Sequence, residues 1–356
     1  MAYKLGFSIS FIIDLHIRIN LIMWFEKLTG FREKNADLVR SNLTVAGELL
    51  ISKVNGREYN PGILEIPSLE ELRNRYVRSE PGGMLSISVI AGDVMALHKL
   101  PENAGVVFQA ASQFNLLEMA NPEFIPEDGV AIYEFDQTQG PACAIACGAG
   151  TIYRNYFVEV NGRIGQSIDN QIDCLAEIGA ELQNEKNKYW MMCNGYAIVK
   201  NSESLARIKS ILQGMTIEER DHLAGKLRIG IQWNTEVNIS SNKQLVTQVY
   251  CSALPINYCG FESLYWKEFA SLILDAAYEA TFLATIENFK KTGNNRLFLT
   301  LVGGGAFGND KRWIFGAIER AVNKFRNCPL DVRIVCYIEI DSEIAEFVEN
   351  LRLSAK

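Results

Sequence analysis

Apolar and polar positions along this chain recur with two periods, and each change of period marks a change of element. MLSISVI at 84–90 keeps a period of two, and AGVVFQAA at 104–111 is a continuous apolar run, so both predict strands. Between them, Gly92, Asp93 and Val94 form a turn leading into a short apolar segment. KYWMMCNGYAIV, KLRIGIQW and QLVTQVYCSALP also read as strands, with helices at about 202–214 and in TIEERDHLAG between the first two. Upstream, TVAGELLIS predicts a strand, Asn60-Pro61-Gly62 a turn, and Ser68 with Glu71 a capping box whose helix ends near Pro81-Gly82-Gly83. GPACAIACGA at 140–149 is a small-residue helix, and Ile172, Leu175, Ile178 and Leu182 place a second helix over 169–182. From 262 to 290 the apolar residues fall on one stripe, an amphipathic helix stopped by Gly293. The tail is strand RLFLTLV, a glycine loop, helix KRWIFGAIERAVNKF, strand DVRIVCYIEI, and helix SEIAEFVENL capped by Asp341 or Ser342. Strands separated by helices predict a three-layer α/β/α fold on a mixed, largely parallel sheet, with a ligand site beyond the strands' carboxyl ends.

Composition narrows the class. The 356 residues are 48% apolar and 22% charged, the profile of a globular protein. The net charge of −7, without a basic block, argues against a nucleic-acid partner, while leaving a small phosphate ligand open through backbone N–H groups. Eight scattered cysteines without a C-x-x-C pair read as reduced, buried thiols of an intracellular, cytoplasmic protein. His16, His98 and His222 are far apart, so no metal set and no catalytic triad is expected, and no cofactor. The apolar run at 5–24 is broken by Asp14, His16 and Arg18, which predicts a packed amphipathic element and no membrane span.

The strongest chemical signal is LFLTLVGGGAFGND, a strand that enters glycines and then a helix. Glycine lets the backbone close on a phosphate, and a helix start adds N–H donors. The run lacks the Lys-Ser/Thr of a P-loop, and no ribose-binding acid follows on a second strand as a dinucleotide fold requires. By itself the loop fits a phosphate cradle and a packing turn equally.

Order along the chain adds a resemblance. ISVIAGDVMALH, VVFQAAS, the helix GPACAIACGAG and the closing strand, glycine loop and helix resemble, in sequence, the corresponding parts of the macrodomain family. The resemblance covers residues 84–351, so residues 1–83 are expected to be an N-terminal extension packed on the core. Residues 84–356 then form a macrodomain-like domain with an elaboration at about 155–240. Two departures stand out: Ser112 occupies the place of the family's asparagine, and 136–140, DQTQG, replaces a run of glycines. FQAASQFNLLEM, YEFDQTQGPACAIA, TIYRNYF and GQSIDNQIDCL further resemble a divergent, effector-like group of ADP-ribosylhydrolases, which extends the expected location to a host cell.

Carried over residue by residue, the resemblance implies that Asp93 and the Val94 backbone meet the adenine. Gly303, Gly304, Gly305, Ala306, Phe307 and Gly308 would wrap the pyrophosphate, with Ser112 and Gly140 beside the ligand. Hydrolysis at the distal ribose needs a carboxylate to manage water and groups to hold hydroxyls, roles that fall to Asp136 and to Gln137, Gln139 and Asn115. Plainer roles stay open: Asp93 in a turn, Phe307 in the core, and Asp136 as the cap of the GPACAIA helix. Arg154, Asn155, Tyr156, Gln166, Asn170, Gln171 and Asp173 either line a docking rim or bridge elements. The expected function is a metal-free ADP-ribosylhydrolase acting on ADP-ribosylated protein, with ubiquitin as one candidate carrier. A non-catalytic ADP-ribose reader is the alternative, and a dinucleotide oxidoreductase is a third reading resting on the glycine loop alone.

Overall fold

The computed structural model describes residues 23–76 and 82–353. Residues 5–22 of the apolar N-terminal run, and Pro81 of the expected boundary, lie outside the described residues. Seven strands form the central sheet: β1 Ile63–Glu65, β2 Ser86–Ala91, β3 Val107–Ala111, β4 Gly230–Glu236, β5 Leu245–Cys251, β6 Arg296–Leu299 and β7 Asp331–Cys336. Their order is β1-β4-β5-β3-β6-β7-β2. From β5 to β2 the strands are parallel, and β4 and β1 close one edge in antiparallel register. The sheet is thus mixed and largely parallel, as the alternation of strands and helices predicts. Its edge strand β1 comes from the N-terminal segment, and β4 falls inside the stretch expected to be an elaboration.

Helices cover both faces because neighbouring strand residues point opposite ways. Phe108 stacks on His98 of the helix Val94–Lys99, with ring centroids 3.6 Å apart. Its neighbour Gln109 donates from Nε2 to Oγ1 of Thr281, 3.0 Å away on the helix Ser263–Thr292. That 30-residue helix ends at Gly293, at φ +77°, as expected, but it is not one-sided. Positions 272–274, 276–278 and 280–286 are all buried, because the sheet and the helices Leu69–Arg75, Ser202–Gly214, Ile217–Gly225 and Lys311–Lys324 surround it. By length and composition alone it passes as a membrane span, yet 83% of its most apolar window is buried, which makes it a core helix.

Local signals located most elements. Ser68 Oγ accepts from Glu71 N while Glu71 Oε2 accepts from Ser68 N, so the capping box opens Leu69–Arg75, which stops at Tyr76 rather than near residue 81. TVAGELLIS is a hairpin instead of one strand, turning at Gly47 with φ +60°. KYWMMCNGYAIV is likewise a hairpin, because Asn194 and Gly195 both take the positive φ that a two-residue turn requires. The small-residue helix breaks at Cys147 into Gln139–Ala146 and Gly148–Tyr156. Asn238 fills the break: its N–H donates to Ala146 O and its Oδ1 accepts from Ala149 N. Of the helix expected over 169–182 only Ala176–Glu181 forms. Before it, Gln166 donates to the carbonyls of Asn115 and Arg154, and Asn170 to that of Val160, so side-chain amides replace helical bonds. Arg154 and Asn155 are wholly buried, so they bridge elements and form no docking rim. All eight cysteines are free thiols, six of them buried.

The N-terminal segment packs a second apolar cluster against the core. Trp24, Phe25 and Leu28 of the helix Trp24–Thr29 meet Leu117, Val130, Tyr133, Ile145 and Ile152. Glu33 fastens the same region, accepting from the N–H groups of Val130 (3.0 Å) and Ala131 (2.6 Å) and from Tyr156 Oη (2.6 Å). Burial raises the Glu33 carboxyl above its ordinary range against these bonds.

One buried titratable group sets an acid limit. His98 is fully buried; its Nδ1 lies 2.7 Å from Val94 O and its Nε2 3.0 Å from Gln248 Nε2, the pattern of a neutral ring that donates at Nδ1 and accepts at Nε2. Burial pushes its pKa down from 6.5 to about 4. The unfolded chain therefore takes up this proton first, and the stability that the neutral ring contributes is lost as pH falls from 6.5 to about 4. We expect the loss to total about 3 kcal/mol. Denaturant titrations across that range should show it, with a shallower slope in His98→Gln.

Candidate functional site

The five parallel strands all end on one side of the sheet, where a cavity of about 1100 Å³ opens. Asp93 and Val94 follow β2, Ser112 follows β3, Ala253 follows β5, the glycine loop follows β6 and Tyr337 follows β7. A crevice beyond the carboxyl ends of parallel strands is the usual place for a ligand in such folds.

The floor depends on a divergence of two strands. β3 and β6 pair only at Val107 with Leu297 and at Phe108 with Phe298, so the last residues of β3 lack that neighbour. The Gln139 amide takes its place: Oε1 accepts from Ala111 N at 3.0 Å and Nε2 donates to Gln109 O at 2.8 Å. The next residue must then pass close to the strand. A Cβ on Gly140 would stand 2.0 Å from Ala111 O, so only glycine allows the approach. The turn before it carries Asp136, whose Oδ1 accepts from Thr138 N at 2.9 Å, leaving Oδ2 without a partner among the described residues. Glu118 also borders the cavity, and both of its carboxylate oxygens lie 3.4 Å from the guanidinium of the fully buried Arg154. Burial pushes the Glu118 carboxyl up to about 7, with Arg154 and Tyr133 opposing it.

The opposite wall is the glycine loop. Gly303 and Gly308 take φ of +77° and +74°, and internal bonds run from Gly304 N to Leu301 O, Gly308 N to Gly305 O and Asn309 N to Gly303 O. Asn257 holds two loop carbonyls, its N–H and Nδ2 donating to Phe307 O and Ala306 O. The N–H groups of Gly303, Gly305, Ala306 and Phe307 have no partner among the described residues. Consecutive free N–H groups in a turning backbone form an anion-binding concavity. The following helix adds less than expected, because Asp310 caps Lys311–Lys324 by accepting from Arg312 N and so puts a carboxylate at its start. Phe307 belongs to neither the deep core nor a bare shelf. It joins Tyr196 and Tyr258 in an aromatic trio with centroids 5.1 to 5.7 Å apart, and Tyr196 Oη donates to Met119 O.

Most residues expected at the site line this one cavity: Asp93, Val94, Ser112, Asp136, Gln137, Gln139, Gly140 and residues 303–307. Asn115 and Gly308 are not in its wall. Asn115 is fully buried and holds its own loop, donating to Gln171 Oε1 and accepting from Leu117 N, so it is not placed to hold a ribose hydroxyl. Gln139 borders the cavity, but its amide is used on β3. Asp93 accepts from Met95 N as the cap of Val94–Lys99. Sequence reasoning missed Trp24, Lys27, Tyr196 and Tyr258, which reach the wall from distant segments without any local motif. Only the Asn-Gly turn next to Tyr196 signalled a defined hairpin there.

No family model matches the chain, and no curated protein matches it. Solved structures similar to it include a poly(ADP-ribose) glycohydrolase from Thermomonospora curvata, at 12% identity and a TM-score of 0.44 over 89% of this chain and 95% of that one. A poly(ADP-ribose) glycohydrolase from Deinococcus radiodurans in complex with ADP-ribose is similar at 10% identity and a TM-score of 0.42, over 91% of this chain and 97% of that one. Likeness at this level carries no argument about the cavity.

Two glycines separate architecture from access. Gly140→Ala should destabilise the protein by about 2 kcal/mol or more, because backbone must move. Gly305→Ala has nothing within 4 Å of the new carbon and should stay within about 0.5 kcal/mol of the parent. Chemical denaturation of both variants checks the contrast.

Proposed function

We propose that the protein binds ADP-ribose attached to a carrier protein and hydrolyses the glycosidic bond at the distal ribose. The observation that supports this most is that glycine-loop residues whose N–H groups have no partner among the described residues line the same cavity as Asp93 and Asp136. The loop suits a pyrophosphate, because backbone N–H donors can hold an anion without a charged side chain. Asp93 stands at the end of the edge strand β2, where the amino group of the base has an acceptor, and Tyr337 on the neighbouring strand end offers an aromatic face.

The distal ribose then falls toward the turn at 136–140, between β3 and the glycine loop. Water attacks the anomeric carbon, the bond to the carrier breaks, and free ADP-ribose and the unmodified carrier side chain leave. Asp136 accepts the proton of the attacking water through its second oxygen, and that proton goes on to the leaving group. Ser112 and Gln137 border the same space. Ubiquitin is the first carrier we would assay, and an effector acting inside a host cell the first setting. A reader without chemistry is the rival, favoured by the bond that ties Asp136 to Thr138 as a turn cap.

Calorimetry should show ADP-ribose binding, and label should be released from ADP-ribosylated protein. Asp136→Asn should lower release at least 100-fold and leave ADP-ribose affinity within about threefold. Binding without release in the parent protein would establish the reader, and NAD binding with hydride transfer the oxidoreductase.

A further inference from the structure

Among the described residues the cavity is lined by six acidic residues, Asp93, Glu118, Glu134, Asp136, Glu339 and Asp341, and by one cationic residue, Lys27. Some of these carboxylates are engaged: Glu118 faces Arg154, Asp341 pairs with Lys311 at 2.9 Å, and Glu134 accepts the backbone N–H of Trp24 at 2.7 Å. Lys27 is not. It is exposed, and its ammonium has neither an ion pair nor a hydrogen bond among the described residues. The helix that carries it is nevertheless fixed. Trp24, 8% exposed, wedges against Gly148, where any Cβ would lie 2.5 Å from the indole ring.

Lys27 and the glycine loop stand on different walls. The Trp24–Thr29 helix packs on the turn at 131–135 and on the helix Gly148–Tyr156. The loop is held by Asn257 and by the Tyr196 and Tyr258 rings. One pyrophosphate on the loop therefore leaves Lys27 without an anion, in a cavity whose other charges repel one. We propose that Lys27 marks a second anion subsite, which takes a phosphate that the ligand carries in addition to the pyrophosphate held by the glycine loop. This rests on the ADP-ribose reading. It makes the N-terminal helix a part of the binding site and a determinant of which ADP-ribose derivatives are preferred.

Two ligands supply such a phosphate from different sources. ADP-ribose 2′-phosphate carries a monoester on the nucleoside, and an ADP-ribose dimer carries the pyrophosphate of the next unit. Affinities of both and of plain ADP-ribose are to be measured by calorimetry at low salt on the parent chain, Lys27→Met and Lys27→Glu. At least one of the two should bind the parent about fivefold or more tighter than ADP-ribose, an advantage that shrinks with added salt. The advantage should vanish in Lys27→Met and reverse in Lys27→Glu, while plain ADP-ribose changes less than about twofold. Lys27 is exposed, so both variants keep the fold. Which of the two ligands gains identifies the source of the phosphate. No gain for either ligand in the parent, or a gain that survives in Lys27→Glu, overturns the subsite and leaves ADP-ribose binding intact. Failure of plain ADP-ribose to bind the parent overturns the function reading, and the subsite falls with it.

Discussion

The parting of β3 from β6 beyond Phe108 is the constraint on which the cavity depends. Two parallel strands that remained paired to their ends would leave a flat edge with no cleft between their loops. Separation exposes the donor and acceptor of the last β3 residues, and an unpaired buried backbone group costs about 1–3 kcal/mol. The Gln139 side chain removes that cost by presenting an amide where a strand would have been. Gly140 then lets the helix start in contact with Ala111 O. The same two residues fix where the Asp136 turn sits. A side chain that the sequence offers for ligand contact thus does architectural work.

The N-terminal segment stabilises this arrangement from outside. Glu33 receives the N–H groups of Val130 and Ala131, Glu134 receives that of Trp24, and the Trp24 ring fills the space left by Gly148. The stretch 129–136 is built on one short 3-10 helix, Ala131–Phe135, and these contacts hold it in place beside the cavity. Strand β1 secures the same segment to the sheet through its pairing with β4. A stretch that reads as an appendage is therefore part of both the sheet and the site wall.

What the sequence made legible follows from the range of each signal. The Ser68–Glu71 capping box, the Gly293 stop and the glycine loop are encoded within a few residues, and each lies where its local pattern puts it. The long helix Ser263–Thr292 was located correctly but not its surroundings, because a stripe on a wheel says nothing of how many elements pack on the remaining faces. The helix expected through residues 169–175 is absent because Gln166 and Asn170 find carbonyls on distant segments that a periodicity cannot reveal. Within the site, Asp93 and the glycine loop were legible because each follows a strand, and Asp136 because it stands just before the small-residue helix. Tyr196, Tyr258 and Lys27 were not, since their approach to the cavity is a product of tertiary packing. Asn115 was misplaced for the same reason, being drawn inward to hold the loop after β3.

Glycine-loop residues whose N–H groups lack partners among the described residues, an acceptor at the end of the edge strand, and a carboxylate on the turn before the helix line one cavity, and the proposed ligand, ADP-ribose, would lie along it from Asp93 to Asp136. A crystal structure with ADP-ribose tests that most directly. The account predicts the pyrophosphate oxygens within hydrogen-bond distance of the Gly305, Ala306 and Phe307 N–H groups, the base beside Asp93, and the anomeric carbon facing Asp136. A ligand bound elsewhere, or one whose distal ribose points away from Asp136, would contradict it.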